Sequence, residues 1–169
     1  WRTPFVKNKL NGFDESFPRL QDVEFHTRAL LQKGLEYKIV HNTTPKCFYR
    51  IDHERTKQSQ VQGLQTMYQG VKKYIQTFKE KVDDPKIKRK LRGTLFSFLN
   101  QLNYSLKSKS VTNVEHHALY QGILSDWGDN TLISKQTIRG LKLYTKLYNA
   151  GIYRLKGFNW ISKRVIQML

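Results

Sequence analysis

Apolar positions between residues 61 and 106 recur at helical spacing. Val61, Leu64, Tyr68, Val71, Ile75 and Phe78 are separated alternately by three and four residues, which predicts a long amphipathic helix over 57–79. Asp83-Asp84-Pro85 then breaks and restarts the chain, with Asp84 in the role of N-cap and Pro85 at the first helical position. The next helix is predicted to reach about residue 107, burying Ile87, Leu91, Leu95, Phe98, Leu102 and Leu106. Two such stripes joined by a short link bury each other best as an antiparallel hairpin.

Downstream, Thr112-Asn113-Val114-Glu115 has the form of a capping box and predicts a helix to about residue 124. Residues 125–130 then read as a turn containing Asp126, Trp127, Gly128 and Asp129. Ser134 is suited to cap a helix that reaches Ala150 and stops at Gly151, and 158–169 form a last one. Upstream, residues 1–20 hold Pro4, Gly12 and Pro18 and no sustained period, which predicts an extended arm. A helix is expected over 21–33, ended by Gly34, and a short β-hairpin over 35–52 around His41-Asn42-Thr43-Thr44-Pro45. The expected fold is therefore mainly α, a single small bundle of five to six helices over 21–169 with a basic N-terminal arm.

Charge changes this from a generic bundle into a molecule with a preferred partner. The 169 residues carry 30 Lys+Arg against 13 Asp+Glu, a formal charge of +17. Such a chain repels itself unless a polyanion neutralises it, and nucleic acids and anionic membranes are the common polyanions. An aromatic content of 12% argues against a purely disordered basic tail. The single Cys47 rules out an intramolecular disulfide and a multi-thiolate zinc site. No apolar run approaches the roughly 18 residues of a membrane-spanning helix, so integral membrane association is not expected. The chain begins at Trp1 without an initiator methionine, which fits loss of a leader and equally a start within a longer chain.

The distribution of charge singles out sixteen residues for phosphate contact. After Asp129 there is no acidic residue, while Lys135, Arg139, Lys142, Lys146, Arg154, Lys156, Lys163 and Arg164 are all cationic. On a helix, the first four of these fall within about 60° of one another, a basic ridge opposite the apolar Leu141, Tyr144 and Tyr148. Lys86, Lys88, Arg89, Lys90 and Arg92 form the densest cluster, at a helix start where the macrodipole disfavours cations, so helix stability does not explain them. Arg2, Lys7 and Lys9 stand among aromatic residues of the arm, a composition suited to ordering along RNA. Tyr104, Tyr120, Tyr153 and Trp160 are the aromatics with a stacking role open to them.

Candidates for chemistry are weaker. His116-His117 beside Glu115, with Asp126 and Asp129 downstream, resembles a metal or acid-base site in composition alone, since adjacent helical residues point about 100° apart. Asp83-Asp84 is explained by helix capping, and His53-Glu54, His26 and His41 have no ligand-spaced partners. Phosphate-cradling, dinucleotide and nucleophile-elbow motifs are absent from the sequence. The sequence predicts no enzyme and no cofactor.

Together, segments such as Trp1-Arg2-Thr3-Pro4-Phe5-Val6-Lys7 and Lys86-Ile87-Lys88-Arg89-Lys90 resemble, as a class, the fungal-type mitochondrial ribosomal proteins. The resemblance implies a structural protein of the ribosome in the mitochondrial matrix, with ribosomal RNA and neighbouring ribosomal proteins as partners. Two alternatives stand beside it: a metal-dependent nuclease or RNA-processing enzyme using Asp83, Asp84, His116, His117, Asp126 or Asp129, and a helical-repeat factor binding one transcript. A peripheral protein of anionic membranes is a further reading, less favoured because the two longest apolar stripes can face each other.

Overall fold

The computed structural model describes residues 2–36, 60–81, 83–128 and 133–168. Among these are seven α-helical segments: α1 (Thr3–Phe5), α2 (Gln21–Leu30), α3 (Gln60–Phe78), α4 (Pro85–Lys107), α5 (Asn113–Gly128), α6 (Lys135–Asn149) and α7 (Phe158–Met168). A π-helical turn, Val6–Leu10, continues α1, and a 3-10 turn, Ile152–Arg154, precedes α7. The mainly α reading stands, but the expected five to six helices are too few. No strand occurs among the described residues, and the hairpin expected over 35–52 lies, beyond Glu36, outside them.

Helix α4 is central and packs against α3, α5, α6 and α7. Its start is the one anticipated: Asp84 is extended and its carboxylate accepts from Lys86 N at 2.8 Å, with Pro85 following. Ser134 caps α6 in the same way, accepting from Thr137 N at 3.0 Å. Each such cap is worth about 1 kcal/mol. The apolar stripes of α3 and α4 face each other, with Tyr68 and Phe98 ring centroids 5.4 Å apart, so the antiparallel hairpin forms. Tyr144 of α6 joins the other half of the core: its ring lies 4.7 Å from Phe96 of α4 and 5.6 Å from Phe158 of α7. Its hydroxyl donates to Asn100 Oδ1 at 2.6 Å.

Two segments differ from their sequence reading. The extended arm expected over 1–20 is not what residues 2–20 form. Phe17 is buried in the main core, and Leu10 is buried with Phe25 and Ala29 in a second small cluster. Arg28 ties this segment down, pairing with Glu24 at 2.7 Å and donating to the main-chain oxygens of Leu10 and Gly12. Apolar residues without a local period found partners in α2 and α3, where a period count cannot see them. The expected turn at 125–130 is also corrected, because α5 continues to Gly128; Trp127 is fully buried on it and anchors it to the core. Asp129 lies outside the described residues.

Candidate nucleic-acid interface

Two helical faces with the same spacing build a basic surface. On α4, Lys86, Arg89, Lys90 and Gly93 occupy positions i, i+3, i+4 and i+7; on α7, Trp160, Lys163, Arg164 and Gln167 do the same. The faces meet where Gly93 carries no side chain, since a Cβ there would collide with the Gln167 amide. Beside this contact, Arg92 Nη2 donates to Gln167 O at 3.0 Å. Lys86, Arg89, Lys90, Trp160, Lys163, Arg164 and Gln167 line a cleft of about 440 Å³, with no carboxylate among them. Five cations from stretches some 70 residues apart in sequence thus surround one open space.

Trp160 is 65% exposed, and the Arg164 guanidinium lies 5.5 Å from its ring centroid. None of the sixteen candidate cations forms an ion pair among the described residues; the pairs there are Arg28–Glu24, Lys72–Asp126 and Lys79–Glu80. Charges left unpaired at this density raise the local potential and favour a polyanion.

The remaining candidates take several roles. Lys135, Arg139, Lys142 and Lys146 are all exposed along α6, and the last two edge a groove of about 250 Å³ with Tyr120 and Gln121. Arg154 and Lys156 are exposed on the link into α7, Arg2 just before α1, and Lys7 and Lys9 on the π-helical turn. Lys88 is half-buried on α4 and does not line the cleft. Arg92 is a structural residue: it is half-buried, its Nε is buried without a partner among the described residues, and burial together with the Arg89 charge pushes its pKa down. Gln167 was missed by sequence reasoning, although the i, i+4, i+7 spacing from Trp160 through Arg164 marks the face it shares.

Several of the groups considered for catalysis have partners of their own. Glu115 closes the capping box, its carboxylate accepting from Thr112 N at 2.7 Å and from Thr112 Oγ1 at 2.8 Å. His116 is buried, with Nε2 2.9 Å from Asn103 Oδ1, and burial, aided by the His117 charge, pushes its pKa down. His117 is exposed. Asp126 accepts from the Tyr68 hydroxyl at 2.7 Å and pairs with Lys72 at 2.8 Å. Burial opposes the Asp126 charge, yet those two partners outweigh it and hold the carboxyl below its ordinary value. Asp84 is the α4 cap and Asp83 is exposed. No group of three or more His, Cys, Asp or Glu side chains placed to hold a metal ion occurs among the described residues. His41, Cys47, His53 and Glu54 lie outside them. No helix among the described residues is long and apolar enough to cross a membrane.

No protein-family model, curated protein or solved structure matches this chain.

Proposed function

We propose that this chain is a structural RNA-binding protein of a large ribonucleoprotein. The observation that carries the reading is the α4–α7 cleft, where Lys86, Arg89, Lys90, Lys163 and Arg164 converge without a carboxylate. Five cations within one cleft match a phosphate backbone, whose charges recur every few ångströms, better than they match a single small anion. The exposed row on α6 adds a second set of cations. The particle named by the sequence resemblance is the mitochondrial ribosome, with ribosomal RNA as the ligand.

Sedimentation of the tagged endogenous protein through sucrose at low and high salt, with the bound RNA sequenced, tests this reading. Stoichiometric migration with a ribosomal subunit supports it; migration as a free protein, or with one messenger or precursor RNA, overturns it. Two charge-reversal variants locate the contact. Lys86→Glu with Arg89→Glu and Lys163→Glu is expected to abolish incorporation while leaving helicity intact. The quadruple Glu variant at Lys135, Arg139, Lys142 and Lys146 reports separately on the α6 row.

A further inference from the structure

Resting on that reading, we infer that the α4–α7 cleft takes an unpaired nucleotide, with Trp160 stacking on the base while the cations on its two walls hold the flanking phosphates. Three features of the cleft carry this. The first is concavity: about 440 Å³ lies within the roughly 300–1,000 Å³ typical of pockets that enclose a small molecule. An A-form duplex presents phosphates and 2′-hydroxyls on a broad shallow surface and hides its base faces in the stack, so a duplex has nothing to insert here.

The second feature is Trp160 itself. A large aromatic ring that is 65% exposed leaves apolar surface in water, and α7 has a core-facing side on which Ile166 is buried instead. A ring at the wall of a cationic cleft is the element that single-strand binders use, because every base has a π-face to offer it. Arg164, 5.5 Å from the ring centroid, holds a planar cation over the indole and can also reach a phosphate.

The third is the arrangement of charge. Lys86, Arg89 and Lys90 stand on the α4 wall, Lys163 and Arg164 on the α7 wall beside Trp160. A strand crossing the cleft therefore meets cations on both sides of the stacking position. Arg92 bonds to the main chain of Gln167 and α7 lies close to α4 at Gly93, so the two walls are tied together before RNA arrives.

The experiment measures binding of the full chain to a fluorescently labelled unstructured 12-nucleotide pyrimidine RNA and to the same strand annealed to its complement, over a range of salt. The wild type is expected to prefer the single strand. Trp160→Ala should weaken single-strand binding about tenfold, leave duplex binding and the salt slope unchanged, and be largely restored by Trp160→Phe. Lys90→Glu with Lys163→Glu should instead flatten the salt slope. RNA-induced quenching of indole fluorescence should be larger in the wild type than in Trp160→Phe, which keeps only Trp1 and Trp127. Equal binding of both forms, or full single-strand affinity in Trp160→Ala, overturns the inference and leaves the RNA-binding reading intact. Failure of the wild type to bind either RNA, with binding to anionic phosphatidylserine vesicles through the exposed Ile161, Val165 and Met168, overturns both.

Discussion

Arg92 Nη2 donates to the main-chain oxygen of Gln167 across 3.0 Å and so ties α4 to the last turn of α7. This bond joins the two helices that wall the basic cleft, and it engages one cation of the dense 86–92 cluster that does not line the cleft. The Arg92 Nε is buried without a partner among the described residues, so the guanidinium is held at some cost.

Arg92→Met follows from that role. The long apolar side chain keeps the packing volume and removes the unpartnered Nε, but it gives up the bond to Gln167. Stability measured by urea unfolding should change by less than about 1.5 kcal/mol. The salt slope of RNA binding should stay at the wild-type value, whereas Lys90→Met should reduce it.

Two helix glycines give opposite expectations. A Cβ on Gly70 would stand 2.9 Å from Arg19 Cβ and 3.0 Å from its main-chain oxygen, so the whole N-terminal segment would have to move. Gly70→Ala should therefore destabilise by about 1–2 kcal/mol, an overpacking cost that exceeds the roughly 1 kcal/mol alanine gains in a helix. At Gly93 the obstacle is the end of the flexible Gln167 side chain. Gly93→Ala should be within about 1 kcal/mol of wild type by the same measurement.

The Arg28 clamp governs the first twenty residues. Arg28→Ala leaves the Glu24 carboxylate buried without its cation and two main-chain oxygens without a donor. A loss on the order of 2 kcal/mol is expected, less than the ~3–5 of a fully buried pair because Arg28 is partly exposed. Limited proteolysis should then cut between residues 11 and 20 well before the helical core, and unchanged protection would reject the clamp.

His116 makes stability depend on pH. Burial holds its pKa below the ordinary 6.5, so the folded state binds the proton less readily than the unfolded chain. Its contribution is complete above about pH 6.5, declines as pH falls below that value and levels off beneath the lower folded-state pKa. Urea midpoints between about pH 5 and 8 should drop on the acid side. In His116→Gln, which keeps an amide donor for Asn103, that component of the drop should vanish.

Local information was enough for much of the helical body. Apolar spacings of three and four residues located α3 and α4, and Asp84, Ser134 and the Thr112–Glu115 box marked their own helix starts because a cap is a contact among four consecutive residues. The long-range matters were decided by tertiary packing. Phe17 and Leu10 sit in a stretch with no period, and their burial depends on surfaces supplied by α2 and α3. Trp127 looked like part of a turn beside Gly128, yet the core behind it draws α5 on for another turn. The abundance of unpaired cations is a property of composition and needed no structure. Which of them act together is not, because the α4 and α7 faces are some 70 residues apart in the chain. Only the close approach of α7 to α4 at Gly93 brings Lys163, Arg164 and Trp160 opposite Lys86, Arg89 and Lys90.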